Sequence, residues 1–280
     1  VIKDIVTRYD VDGIHFDDYF YPYTDFKDDY SFSVHSRGYK PDDQMAWRRE
    51  NVDMVVKMLR DSIKAIKPYV KFGISPYAIW RNNDLDPKGS ATKSFSYTNY
   101  DHLHADILKW MENGWVDYIL PQFYFNIGYP AVDFDVITKW WQDYSNGVPL
   151  YAGLATYKLD AISKNEAWRS VSEIEKQIER IRAQNGYNCV CYFNAKDFKE
   201  NRLGIDDLLL KKYNHPALSP ALKGFSTEAP LAPIKATMVK REGRLNFKWS
   251  GNDQSGKPKT YYYVIYKFAK NEKPDFTNGN

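Results

Sequence analysis

The run Val11-Asp12-Gly13-Ile14-His15-Phe16-Asp17-Asp18-Tyr19 reads as a short apolar strand that ends abruptly in two carboxylates. With a period of two, Gly13, His15, Asp17 and Tyr19 share one face, and Ile14, Phe16 and Asp18 share the other. Four more apolar runs follow: Val70 to Ser75, Val116 to Leu120, Leu150 to Ala155 and Cys189 to Phe193. Between them stand stretches with helical spacing, Trp47 to Ile66, Asn99 to Asn113, Phe134 to Tyr144 and Ser172 to Asn185. Short apolar strands that alternate with helices belong to a parallel sheet covered by those helices. The fold class is therefore α/β, of (β/α)8 TIM-barrel type. A closed barrel takes roughly 250 residues, and the repeat stops near residue 215, so an incomplete barrel of about five βα units is expected. Its first strand would lie at an open edge, which another chain could cover. An open five-stranded sheet is the alternative at this length.

After His215-Pro216 the texture changes. Pro216, Pro220, Pro230 and Pro233 mark a linker over 216–233, and from Ile234 alternation returns in Ala236 and Met238, in Leu245, Phe247 and Trp249, and in Tyr261 to Phe268. Three such strands with a Trp on the second resemble the front of a fibronectin type III or immunoglobulin-like sandwich, which needs about 100 residues when complete. Residues 234–280 thus read as a small partial all-β segment and 1–215 as the barrel domain. The chain opens on Val1 within an amphipathic pattern, so its start reads as a cut. The segment Tyr19 to Asp43 has no clean period and reads as a lid or binding loop. Cys189 and Cys191 fall on one face of one strand and read as core thiols rather than a disulfide.

Composition narrows the function. The 39 Lys and Arg against 36 Asp and Glu leave a net +3, without the basic stripe that nucleic-acid binding requires. No run approaches the roughly 20 apolar residues of a membrane span. No glycine-rich phosphate loop is present, and the five His and two Cys are not spaced as metal ligands. Neither cofactor nor metal is expected. With 23 Tyr, 15 Phe and 8 Trp, the chain carries more rings than a core of this size needs, so some should form a binding surface.

In a parallel α/β sheet, ligands meet residues just beyond the carboxyl ends of the strands. Those positions hold His15, Asp17, Asp18 and Tyr19 after the first strand, then Tyr77 and Trp80 after the second. The third contributes Gln122, Tyr124 and Asn126, the fourth Tyr157, and the fifth Asn194. Rings stack on the apolar faces of pyranoses, while amides and carboxylates hold the hydroxyl rim. The inventory suits an oligosaccharide or polysaccharide, with Asp17 and Asp18 as candidate catalytic carboxylates. Trp80, Tyr124 and Tyr157 are expected to line one sugar cleft. Glycoside hydrolysis needs a second carboxyl beside Asp17; Asp18, Asp84, Asp86 and a residue outside this chain are all open for that role.

The run Asp12 to Pro22 resembles the signature of the bacterial glycosyl hydrolase-like 10 family. So, in the same order, do Phe72-Gly73-Ile74-Ser75-Pro76, Asp117 to Tyr124 and Tyr151-Ala152-Gly153-Leu154. The resemblance covers about residues 1 to 215. It implies a TIM-barrel glycosidase of a bacterial cell-wall or environmental glycan, acting extracellularly, in the periplasm or at the cell envelope, with Val11 to Phe16 as the fourth barrel strand. A wider resemblance to the α-amylase superfamily implies a nucleophile at Asp17, with His15 where that group has Arg. The chitinase pattern would put its catalytic Glu at Tyr19, which argues against substrate-assisted chemistry. The competing classes are a carbohydrate-binding barrel without catalysis and a surface structural protein.

Overall fold

The computed structural model describes residues 1–22, 26–214, 235–241, 243–250 and 271. The chain divides into two compact units, Val1–Asn214 and His215–Asn280. In the first, helix α1 (Ile2–Arg8) leads into β1 (Gly13–Phe16), α2 (Asp29–His35), α3 (Gln44–Ile66) and β2 (Lys71–Ile74). Next come α4 (Ile107–Glu112), β3 (Tyr118–Ile119), α5 (Phe134–Tyr144), β4 (Leu150–Leu154), α6 (Ser172–Ala183) and β5 (Tyr187–Tyr192), closed by α7 (Lys196–Lys199) and α8 (Ile205–Lys212). The five strands are parallel and lie in sequence order, β1 to β5. This is a partial (β/α) barrel, as the five apolar runs predict.

Strand parity builds the core. Ile14, Phe72, Ile74, Ile119, Leu150, Ala152 and Leu154 are buried with Val52, Val56 and Ile63 of α3, Phe134, Ile137 and Trp141 of α5, and Ile174, Ile178 and Ile181 of α6. Each of the Val, Leu, Ile and Phe side chains among them contributes about 1.5–3 kcal/mol on leaving water. Trp110 and Trp141 are fully enclosed, and their indole N–H groups donate to Asp53 and to the Ala78 carbonyl. The residues of opposite parity, His15, Tyr118, Tyr151, Cys189 and Cys191, form the other face of the sheet. His15 Nδ1 and Tyr118 Oη are 3.0 Å apart, and Tyr118 meets Tyr151 edge to face. The Tyr118 ring lies over Gly73, where a Cβ would come within 2.0 Å of it, so only glycine fits there.

Three sequence expectations need correction. Cys189 and Cys191 do share a face, but both are exposed, because that face is not closed over by further strands among the described residues. The second helix does not begin at Asn99. Its amide instead donates to the Tyr77 and Ile79 carbonyls, and α4 starts at Ile107 under an Asp106 cap. The Tyr19 to Asp43 segment is not a bare loop, since it contains α2. It is pinned by Asp28, which is buried and accepts from Arg48 at 2.5 Å and Gln44 at 2.9 Å.

In the second unit, β6 (Lys235–Arg241) and β7 (Arg244–Ser250) form an antiparallel hairpin from Lys235↔Ser250 to Arg241↔Arg244. Gly243 turns it with φ +75°. The expected linker and the Tyr261 to Phe268 strand lie outside the described residues.

Candidate active site

The carboxyl ends of β1 to β4 bring the first carboxylates together with residues more than a hundred positions away. Past Ile74 and Ile119 the sheet thins to single bridges, Tyr77↔Gln122 and Gln122↔Gly153, which hold the rim in register. Gln122 is 9% exposed, and its amide donates to Asp17 Oδ1 at 2.8 Å and to the Ser75 carbonyl at 3.0 Å. Ser75 in turn donates to the Leu120 carbonyl. Gln122 is thus fixed by backbone on one side and presents its N–H to Asp17 on the other.

The two aspartates differ as parity predicts. Asp17 is exposed, with His15 and Tyr19, whereas Asp18 is buried at 5% exposure. Asp17 Oδ1 also accepts from the Asp18 backbone N–H at 2.9 Å. The Asp18 carboxyl is pushed up to about 6, first by burial, then by the charge of Asp17 and a hydrogen bond between the two carboxyls. The Gln122 amide and Asp18's own N–H oppose that shift. Asp18 therefore keeps its proton to a higher pH than an ordinary aspartate, and carries it below about pH 6. His15 is lowered by burial against the opposing pull of Asp17, so it stands neutral beside Tyr118.

An aromatic wall adjoins the pair. Tyr124 meets Tyr157 at 5.8 Å and Phe193 at 5.8 Å, and Tyr157 meets Phe193 at 5.3 Å. Tyr77 packs edge-on against Tyr97 and Phe125. Burial raises both phenols, Tyr77 to about 12 and Tyr124 further; the charge of Asp18 adds to each, and that of Asp17 adds to Tyr124. At neutral pH these hydroxyls are donors, suited to sugar oxygens. Beyond Tyr124 opens a pocket of about 500 Å³ whose lining includes Asn126, Tyr129, Tyr157, Lys158 and Trp168.

The structure gathers Asp17, Asp18, Tyr77, Gln122, Tyr124, Asn126 and Tyr157 at one rim. Tyr19 is exposed beside Phe20 and Tyr21, against the Val52 to Leu59 side of α3. Asn194 serves its own turn, with Oδ1 accepting from the Lys196 and Asp197 N–H groups. Trp80 does not join the expected cleft. It is 5% exposed, stacked on Trp140 at 6.0 Å, with its N–H on Asp106 at 3.3 Å. An indole inside the helix layer cannot stack on a sugar. Asp86 is held by Arg81 at 3.2 Å, and Asp84 is exposed in the same loop. Among the described residues no group of three or more His, Cys, Asp or Glu is placed to hold a metal ion. No helix among them is long and apolar enough to cross a membrane.

Sequence reasoning missed Lys158, Phe193 and Trp168. Lys158 directly follows Tyr157 and was detectable as the next residue past a strand end. Trp168 lies in a single 3-10 turn, Glu166–Arg169, whose return to the rim has no sequence signal.

Residues 1–170 match the family model described as glycosyl hydrolase-like 10. The chain is 39% identical to the glycosyl hydrolase YngK of Bacillus subtilis over 276 residues, covering 95% of this chain and 53% of that protein. It is 37% identical to the glycosyl hydrolase DigH of Escherichia coli K12 over 188 residues, covering 64% of this chain and 42% of that protein. The chain therefore spans about half the length of the curated relatives it matches.

Proposed function

The chain belongs to the glycosyl hydrolase-like 10 family, and from that premise we propose that its rim hydrolyses O-glycosidic bonds of a bacterial cell-wall or environmental glycan met outside the cytoplasm. The observation that carries this reading is the Asp17–Asp18–Gln122 cluster beside the Tyr124–Tyr157 wall. Asp17 is the solvent-facing carboxylate, with Oδ1 held by the Gln122 amide, and it is the group that meets the anomeric carbon or a water. Asp18, buried and proton-bearing near pH 6, is the store from which a proton reaches the rim. The rings of Tyr124 and Tyr157 hold a pyranose face, and their hydroxyls join Gln122 and Asn126 in binding its rim.

The test is hydrolysis of a glycan panel by the full-length protein and by its Asp17→Asn form. The amide keeps the Gln122 contact in shape but can neither attack nor take a proton, so turnover should fall at least about a hundredfold with the fold intact. Near-normal turnover excludes Asp17 from the chemistry. Glycan binding without turnover by both forms selects the carbohydrate-binding barrel instead.

A further inference from the structure

We propose that the pocket beside Tyr124 is a subsite for a sugar bearing a carboxylate, with Lys158 as its anchor. The proposal rests on the glycan reading above, and its test measures binding apart from hydrolysis.

The pocket encloses about 500 Å³, within the ~300–1,000 Å³ usual for small-molecule sites. Its walls are rings, Tyr124, Tyr129, Tyr157 and Trp168, which suits a pyranose. Its charges are unevenly settled. Arg202 is committed to Asp197 at 3.3 Å and Glu200 at 3.6 Å. Lys158 is half-buried and makes no ion pair among the described residues. Its ammonium donates to the Tyr124 carbonyl and lies over the rings of Phe125 at 5.5 Å and Trp168 at 5.7 Å. Two of its three N–H donors have no acceptor among the described residues. Lys164, exposed on the same rim, adds a second unpaired positive charge. The one acid in the lining, Asp160, is exposed, accepts from the Ile162 N–H and bridges to neither lysine.

A cation drawn partly out of water without a counter-charge is unfavourable, and burial lowers the Lys158 pKa accordingly. A hydroxyl could accept one of its hydrogen bonds but would leave the charge unbalanced. A carboxylate supplies both, and charge-assisted bonds are roughly twice as strong as neutral ones. The ring walls locate that carboxylate on a sugar, either at the ring carbon or on a side arm.

Calorimetry on the full-length protein separates the two sources. One arm compares an oligogalacturonate with its methyl ester, and the other compares a carboxymethylated glucan oligosaccharide with the unmodified glucan. The acid form should bind about tenfold or more tighter in at least one arm. The preference should shrink as salt rises, vanish in Lys158→Met and survive in Lys158→Arg. If Lys158→Met does not fold, the salt series and a weakened preference in Lys164→Gln carry the same result. Equal binding of acid and uncharged forms in both arms overturns the proposal and leaves the hydrolase reading standing. Acid-selective binding without turnover supports it while removing that reading.

Discussion

Asp117, near the amino end of the sheet, accepts from the Phe72 N–H at 2.7 Å and from the Lys64 ammonium at 2.7 Å. Asp17, at the carboxyl end, faces the Gln122 amide and a second aspartate. The contrast extends to the helix layer, where buried Asp53 accepts from Lys109 and from the Trp110 indole at 2.6 Å each. The same side chain is thus structural where a lysine neutralises it and chemically available where a neutral amide merely orients it. An aspartate in this fold is read by its partner, not by its burial: Asp53 and Asp18 are equally hidden.

The largest expected effect breaks or confirms that contrast directly. Asp17→Asn should cost at least about a hundredfold in turnover with an unchanged unfolding midpoint, whereas Asp117→Asn should leave turnover per folded molecule nearly intact. Equal losses of turnover in the two variants would erase the distinction between the ends.

Next come the structural carboxylates. Asp53→Ala leaves the enclosed Trp110 N–H without an acceptor, and Asp117→Asn removes the charge that Lys64 answers. Each should lower unfolding free energy by about 1–3 kcal/mol in urea titration. A variant as stable as the parent would show that the neutralised aspartates are not holding the sheet.

A smaller effect depends on pH. Because the folded state raises the Asp18 carboxyl to about 6, it binds that proton more tightly than the unfolded chain does. Its contribution is favourable only at acid pH and is lost as pH rises from the ordinary aspartate range through 6. Asp18→Asn should therefore raise the melting temperature at pH 7.5 relative to the parent and change it less at pH 4. His104, buried and lowered to about 4, acts with the opposite sign, destabilising the fold as pH falls from about 6.5. Taking the difference between variant and parent cancels it. No gain at pH 7.5 would mean that Asp18 is ionised without cost.

The smallest effects concern the rings. Tyr157→Ala should weaken glycan binding by about 0.5–1.5 kcal/mol in calorimetry. Trp80→Phe should leave binding alone and show only in stability, since its ring stacks on Trp140.

Periodicity reveals what depends on neighbours along the chain. The five apolar runs, and the alternation that buries Ile14 and Asp18 while exposing His15 and Asp17, are local properties and are legible. The extent of β3, only Tyr118–Ile119, is not, because the Asp117 and Pro121 flanks suit strand and loop alike. Trp80 and Tyr124 both follow strand ends in ring-rich segments. What separates core from cleft is Trp140, sixty positions further on, and Tyr157 with Phe193. That Cys189 and Cys191 share a face is legible from parity, but whether that face is covered depends on closure of the barrel. The partnership of Gln122 with Asp17 spans 105 positions and leaves no local trace.

The two thiols, on a face that the described residues leave uncovered, turn the protein into its own reporter. They are the chain's only cysteines, both exposed, and Cys189 is pushed up to about 11 by its surroundings. At pH 8 such a thiol is held almost wholly protonated, which slows its alkylation relative to an ordinary cysteine. Any strand or second chain that settles over this face would slow the labelling further. The labelling rate thus reports how far this face of the sheet is open to solvent.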